Sequence, residues 1–263
     1  MIKIEHLSYH YSNGEQGIND ISIEINSSTS LAIIGPNGSG KSTFIKCLMG
    51  ILKPQRGSII LNNQNINKLS ITQRSQHIGF VFQDPKEQLF KSTIEQEIRF
   101  ALRKRKDQKD IESQVETILE CCSLTSHRSK HPYDVSITQQ KFILIGCALG
   151  MNQDIIIMDE PTSGMDYKGI KQLAKIVEFL KKEKKTIIMV SHDLDFISEH
   201  FENVMIINHH QCIYQGTFKD ACRDETVLSQ GEYKLPDIAR LSLMAKHQLC
   251  TTHQEWIELW KKR

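Results

Sequence analysis

The run Gly35-Pro-Asn-Gly-Ser-Gly-Lys-Ser42 stands between an apolar stretch, Leu31 to Ile34, and the mostly apolar segment Thr43-Phe-Ile-Lys-Cys-Leu-Met49. A strand that enters a glycine-rich loop and leaves directly into a helix constrains the fold more than any other feature of the chain. The loop amides and the helix N-terminus must converge on one point, and that point suits an anion. The spacing G-x-x-x-x-G-K-[ST] places Lys41 within reach of the β- and γ-phosphates of a nucleotide and the Ser42 hydroxyl where it can ligate Mg²⁺. Gly35, Pro36, Asn37, Gly38, Ser39, Gly40, Lys41, Ser42 and Thr43 are therefore the candidate phosphate-binding residues. An ordinary glycine-rich turn is the alternative, and the flanking strand and helix argue against it.

A second constellation lies at Asp154-Ile-Ile-Ile-Met-Asp-Glu160. Four apolar residues ending in two carboxylates read as a buried parallel strand that delivers acid at its C-terminal tip, where α/β sheets hold their ligands. Asp159 is placed to hold the hydration shell of Mg²⁺ and Glu160 to polarise an attacking water, since phosphoryl transfer depends mainly on positioning and charge stabilisation. Gln83 ends the strand Gly79-Phe-Val-Phe-Gln83 and could contact Mg²⁺ and that water. His192 follows the strand Thr186 to Val190 in Ser191-His192-Asp193, where its imidazole could donate to a γ-phosphate. Either residue alone would read as structural. The order of loop, glutamine, carboxylate pair and histidine along one chain favours catalysis.

With these motifs in place the chain resembles the nucleotide-binding subunit of ABC transporters, from about Ile2 to about Phe218. The resemblance implies an α/β fold of the P-loop NTPase (RecA-like) type, with an antiparallel β subdomain, an inserted α-helical subdomain and a small C-terminal helical appendage. The expected division is a catalytic lobe at 1–83 and 151–218, the inserted lobe at 84–150, and a C-terminal extension at 219–263. ATP and Mg²⁺ are the implied cofactors. Ser163-Gly-Met-Asp166 resembles the family's D-loop, marking Ser163 and Asp166, and Tyr11 matches the aromatic that stacks on adenine. Base-on-ring stacking is worth roughly 1–3 kcal/mol in single-strand binders. A half-buried strand residue is the other reading of Tyr11.

The sequence departs from the family at Val135-Ser-Ile-Thr-Gln139, which stands where Leu-Ser-Gly-Gly-Gln is usual. In the family this signature starts a helix and faces the γ-phosphate held by the partner's phosphate loop. Ser136 and Gln139 survive, whereas Ile137 and Thr138 replace both glycines and Phe142 takes a place that is commonly Arg. A β-branched residue forced into positive φ would cost about 1–2 kcal/mol, so weak or absent closure over the opposite ATP is expected. In a homodimer both composite sites would use this poor signature. In a heterodimer a partner with a good signature would complete the site built on Lys41, Glu160 and His192, leaving the other degenerate. An asymmetric pair with a second ABC ATPase is the expectation.

The stretch Val81-Phe-Gln-Asp-Pro-Lys-Glu-Gln-Leu-Phe90 resembles the Phe-Gln-x-Pro-x-x-Gln-x-Phe pattern of the energy-coupling-factor class, importers of vitamins and transition metals. There the region receives short helices of a membrane subunit, so the resemblance makes Pro85, Gln88 and Phe90 docking candidates; a core role for Leu89 and Phe90 is the alternative. The implied partners are a transmembrane coupling subunit and a substrate-binding membrane component, with this chain peripheral on the cytoplasmic face of the membrane. A regulatory ATP-binding subunit with little hydrolysis, or the ATPase of another ABC class, remains open. Translation and DNA-repair relatives usually carry a second cassette or a long coiled coil, and neither is seen. An ATPase subunit does not touch cargo, so the substrate is not encoded.

Composition is compatible with that placement. The 263 residues allow one large α/β domain with an inserted lobe, and a net charge of +2 gives no mandate for nucleic acid. The longest apolar stretch, Ile143 to Met151, falls short of the ~20 residues that span a bilayer. Charges within Met1-Ile-Lys-Ile-Glu5 argue against a secretion signal. Seven scattered cysteines, with one vicinal pair at Cys121-Cys122, read as reduced thiols. Gly57 to Leu61 suggests a strand and turn. Ile111, Val115, Ile118, Leu119 and Cys122 recur at helical spacing behind acids at Asp107, Asp110 and Glu112. The basic run Arg103 to Lys106 reads as a solvated helix end. His209-His210 sits in an apparent hairpin without a third metal ligand.

Near the C-terminus, Leu235 to Met244 has a proline at a helix start and resembles the appendage of the same transporter class. Thr252-His-Gln-Glu255 fits a capping box for a last helix that puts Trp256 and Trp260 on one face. That face reads either as a dimer contact or as packing on the chain's own lobe.

Overall fold

The computed structural model describes residues 1–103, 110–245 and 249–261. Most of the basic run (Lys104, Arg105 and Lys106), together with Asp107, lies outside them. The chain forms two compact units: one contains Met1–Arg74 and Ile188–Arg263, the other Ser75–Ile187.

The first unit opens with β1 (Ile2–His10) and β2 (Gln16–Ile25), followed by β3 (Ser30–Ile34), α1 (Lys41–Met49), β4 (Arg56–Leu61), β5 (Gln64–Asn65) and α2 (Ile71–Arg74). A four-stranded antiparallel sheet runs in the order β2-β1-β4-β5. Its register aligns Ile25, Ile2 and Leu61 in one row and Ile23, Ile4 and Ile59 in the next. All six are buried, so period-2 alternation has put the isoleucines on a single face. Asn62 and Asn63 form the β4–β5 turn with φ of 48° and 66°, a left-handed pair that asparagine tolerates better than most residues.

Helix α1 ends on a left-handed Gly50 cap, and one buried cation reinforces it. Arg74 is only 2% exposed, and its Nη1 donates to the carbonyls of Cys47 and Leu48 at 2.8 and 2.9 Å. The guanidinium thereby satisfies the last carbonyls of α1 and sits at the negative end of the helix dipole. Arg74→Ala is expected to destabilise the chain by about 2–4 kcal/mol, through a cavity and the loss of the guanidinium bond to the Leu48 carbonyl, since Cys47 O still accepts from Gly50 N. Urea denaturation checks this, and a midpoint unchanged from the parent would refute it.

The second unit contains β6 (Ile78–Val81), α3 (Ile94–Leu102), α4 (Ile111–Cys121), α5 (Ile137–Met151), β7 (Ile155–Asp159) and α6 (Tyr167–Lys182). Strands β6 and β7 are parallel, with Ile78 opposite Ile155 and Val81 opposite Met158. Every residue of β7 is buried, as a strand covered on both faces requires. Helix α5 packs on α3 and α4 and buries Phe142, Ile143, Leu144 and Ile145 in succession, so it is apolar around its whole circumference. In α4, Asp110 caps the start by accepting from Ser113 N, and Val115, Ile118 and Leu119 turn inward.

Strand β8 (Thr186–Val190) leads the chain back to the first unit. There follow α7 (Leu194–His200), β9 (Asn203–Asn208), β10 (Gln211–Thr217), α8 (Phe218–Arg223), α9 (Glu225–Gln230), α10 (Asp237–Met244) and α11 (His253–Lys261). Strand β9 lies parallel to β3 and antiparallel to β10. His209 and His210 make the tight turn between β9 and β10, both left-handed at φ 45° and 65°. The hairpin reading of that pair is correct, and among the described residues no cluster of metal ligands is found. No described helix is long and apolar enough to cross a membrane.

Both bonds of the capping box expected at α11 are present. Thr252 Oγ1 accepts from Glu255 N at 3.1 Å, and the Glu255 carboxylate accepts from the backbone of Thr252 and also from Thr251 N, the latter at 2.8 Å. Lys219 Nζ, 2.6 Å from Glu255 Oε1, draws that carboxylate toward α8. Trp256 and Trp260 share a face, with ring centroids 6.0 Å apart, and Trp260 is 52% exposed.

Candidate active site

In the first unit the phosphate loop is built as its spacing demands. Strand β3 is buried throughout, and α1 begins directly after Gly40 with no side-chain cap and no acid in its first turn. Its N-terminal amides are thus left facing outward with their positive potential. Gly38 has φ +78°, and a Cβ there would meet nothing within 4 Å; the backbone at the tip of the loop borders open space that a phosphate can enter. Gly35 is constrained differently, because a Cβ there would fall 1.9 Å from the Ile207 carbonyl oxygen. Ser39 Oγ is buried without a hydrogen-bond partner. Lys41 Nζ donates to the carbonyls of Gly35 and Pro36 at 2.7 and 2.9 Å, which holds the ammonium across the mouth of the loop. A polyphosphate fits this donor set.

Tyr11 lies in the turn between β1 and β2, its hydroxyl 2.8 Å from Thr43 Oγ1 in α1 and its ring edge-on to Tyr9. His192 is exposed, with Nδ1 2.8 Å from the Tyr233 hydroxyl. Partial withdrawal from water, and then the Lys41 ammonium, lower its pKa and so favour the neutral imidazole. Pro36, Asn37, Ser39, His192, His210 and Tyr233 line an open cavity of ≈ 530 Å³ beside the loop.

The acidic residues belong to the second unit. Asp159 is buried at the end of β7, and Glu160 follows with φ 48°. Because β6 and β7 are parallel and in register, Gln83 and this acidic pair leave the sheet at the same, C-terminal edge, where α/β sheets place their chemistry. Lys141 of α5, 3% exposed, donates to the carbonyls of Glu160, Pro161 and Ser163 at 2.8, 3.3 and 2.6 Å. Burial lowers its pKa, and Glu160 and Asp159 oppose that shift. The three carbonyls satisfy all three ammonium protons, so one lysine pins the chain that follows the carboxylates. Asp166 caps α6 by accepting from Gly169 N at 2.8 Å, and Ser163 is exposed.

At the altered signature one expectation is corrected. Ile137 and Thr138 occupy the first turn of α5 and neither has positive φ, so the backbone strain anticipated there is absent. An α-helical first turn accepts β-branched residues at little cost. What distinguishes the altered positions from glycine here is bulk: Ile137 is 46% exposed at the helix start. Ser136 and Gln139 also form a reciprocal capping box, with Ser136 N donating to Gln139 Oε1 at 3.0 Å and Gln139 N to Ser136 Oγ at 3.3 Å. Two amides of the helix start are thereby spent within the chain.

The loop after Gln83 is locally braced. Gln88 Nε2 donates to Phe80 O at 3.2 Å, and the buried Glu97 carboxylate accepts from the amides of Phe90 and Lys91. Of the three docking candidates, Pro85 is buried, Gln88 is half-buried and Phe90 is 63% exposed. Leu89 alone takes the core role weighed for the pair, at 5% exposure.

Sequence reasoning missed Lys141 and Tyr233. Lys141 carries no local signal beyond its place on the signature helix. Tyr233 is separated from Gly35 by 198 positions, and only folding joins them.

An α/β cassette with a phosphate loop, a carboxylate-tipped strand and an inserted helical unit is the architecture of ATP-binding transport ATPases. The family described as ABC transporter matches residues 18–163, and the chain belongs to it. A putative ABC transporter ATP-binding protein of Clostridium acetobutylicum is 32% identical over 97% of this chain and 92% of its own length. The energy-coupling factor transporter ATP-binding protein EcfA of Methanococcus maripaludis is 34% identical over 92% and 88%. Among solved structures, cbiO1 of Clostridium perfringens, described as part of the ABC transporter complex cbiONQ, is similar with TM-score 0.76 and 32% identity, covering 93% of this chain and 98% of that one.

Proposed function

We propose that this chain is the ATP-binding and hydrolysing subunit of an energy-coupling-factor-type importer, peripheral on the cytoplasmic face of the membrane. The observation that carries the hydrolytic reading is the phosphate loop: the open tip at Gly38, the uncapped start of α1 and the Lys41 ammonium form one anion cradle. The transport reading is supported by likeness to EcfA and cbiO1 over nine-tenths of the chain.

In this reading the backbone from Gly35 to Thr43 cradles the phosphates, Lys41 neutralises the β- and γ-oxygens, and Tyr11 stacks on adenine. Ser42, Gln83 and Asp159, the last through water, are hard oxygen donors suited to Mg²⁺. Bound Mg²⁺ would supply charge neutralisation at the β- and γ-phosphate oxygens. Glu160 polarises the attacking water and His192 donates to the γ-phosphate. Residues 1–83 and 151–218 act as the catalytic lobe, 84–150 as the inserted lobe and 219–263 as an appendage.

The partner is a second, non-identical ATPase. The exposed Ile137 at the start of α5, in place of a glycine, disfavours closure over an ATP held opposite, so a partner with an intact signature completes the competent site. The membrane subunit docks at the loop of Pro85, Gln88 and Phe90, with Phe90 as the exposed anchor, and a substrate-binding membrane component supplies the cargo, a vitamin or a transition metal.

Co-purification with the membrane subunit tests the docking assignment. Phe90→Asp is expected to weaken that association about thirtyfold, the loss of roughly 2 kcal/mol typical of an anchor side chain, without changing ATP binding. Undiminished association would remove the loop from the interface.

A further inference from the structure

The Tyr233 hydroxyl reaches three polar atoms from two distant parts of the chain. Gly35 N donates to it at 3.1 Å, Gly35 O lies 3.1 Å away as an acceptor, and His192 Nδ1 lies 2.8 Å away. A phenol has one proton and two lone pairs, so it cannot donate to both the carbonyl and the imidazole. If its proton goes to Gly35 O, His192 must bring a proton on Nδ1, and Nε2 is left with a bare lone pair. If its proton goes to Nδ1, Nε2 carries the hydrogen. A neutral imidazole has only these two forms, and partial burial and the Lys41 ammonium both favour the neutral ring. An anionic phosphate oxygen at Nε2 selects the second form, because only a donor is attracted to it.

The phenol is fixed in place by its surroundings. Tyr233 N donates to Leu228 O at 2.9 Å, closing the turn after α9. Asn208 Nδ2 at the end of β9 donates to Gln230 O at 2.6 Å. The Tyr233 and His192 rings lie 6.2 Å apart between centroids, inclined by 30°. A residue of the C-terminal extension therefore stands at the junction of the phosphate loop and the histidine.

We propose that Tyr233 is a positioning residue for hydrolysis: its hydroxyl donates to His192 Nδ1, presents Nε2–H to the γ-phosphate, and ties that tautomer to Gly35 of the phosphate loop. The role rests on His192 contacting the γ-phosphate, as proposed above. It makes the C-terminal extension part of the hydrolytic machinery, so that displacing the segment at Tyr233 releases the histidine.

The test reads the tautomer directly. The full chain, labelled with ¹⁵N-histidine and bound to Mg²⁺ and a non-hydrolysable ATP analogue, is examined by long-range ¹H–¹⁵N correlation, with the His192 signals identified by their loss in His192→Gln. The unaltered chain is expected to show the proton on Nε2, and a proton on Nδ1 overturns the proposal whether or not any variant folds. In Tyr233→Phe the Nε2–H form is expected to give way to a mixture; an unchanged tautomer overturns the proposal.

In the assembled transporter Tyr233→Phe is expected to lower kcat about tenfold with KM for ATP within about twofold, the loss of one orienting hydrogen bond. On a His192→Gln background the same change should have no further effect, and an equal loss on both backgrounds overturns the route through His192. Full turnover by His192→Gln alone would overturn the γ-phosphate role of His192 and the hydrolytic role of Tyr233 with it. An unchanged tautomer in Tyr233→Phe removes only the Tyr233 inference, so the two failures are distinguishable.

Discussion

Glu160→Gln is expected to reduce ATP turnover by the assembled transporter about 10²–10⁴-fold, the usual contribution of a positioned general base, while ATP binding persists. The amide keeps the shape of the side chain and loses the charge proposed to polarise water. The backbone bond at this position does not use the carboxylate, since the Glu160 carbonyl accepts from Lys141 Nζ at 2.8 Å, and Asp159 remains to support that buried ammonium. Stability should therefore stay close to that of the parent, and a loss of turnover reports on chemistry. Measuring ATP hydrolysis and transport side by side decides between two readings. Loss of both supports catalysis at this site; unchanged transport would assign the chain a regulatory role, with hydrolysis carried out elsewhere.

The second large effect concerns pairing. The isolated chain is expected to hydrolyse ATP more slowly than about 1 per second, the lower end of typical enzyme turnover, and addition of a partner ATPase with an intact signature should raise the rate at least about a hundredfold. The reason lies at the start of α5. On the proposed pairing, the exposed Ile137 stands where the backbone must approach phosphate closely. Two copies of this chain would bring that same obstruction to both composite sites. Replacing Ile137 and Thr138 by glycine should then recover part of the lost rate in the chain alone. Brisk turnover by the unmodified chain would remove the basis for an asymmetric pair.

The altered signature also shows how sequence and structure divide the explanation. The substitution is plain in the sequence, but its physical cost is not. Positive φ would penalise β-branched residues in place of glycines, yet the backbone there is an ordinary first helical turn, and what remains is bulk. The loop after Gln83 teaches a similar lesson. Its aromatic and its leucine looked interchangeable between docking and core, and the carboxylate of Glu97, by fixing the amides of Phe90 and Lys91, sends Leu89 inward and Phe90 outward.

What the sequence determined by itself was everything carried by short-range spacing. The loop from Gly35 to Ser42, the buried strand that ends in Asp159 and Glu160, the helical period through Val115 and Leu119, and the shared face of Trp256 and Trp260 all follow from residues a few positions apart, where φ/ψ preference and side-chain periodicity act directly. Only the tertiary structure decided which distant groups satisfy one another. Arg74 closes the end of α1, Lys141 pins the backbone after the carboxylates, and Tyr233 joins Gly35 to His192. Such bonds leave no periodic trace in the chain. A buried polar group must find a partner wherever packing delivers one, and which partner arrives is settled by the fold as a whole.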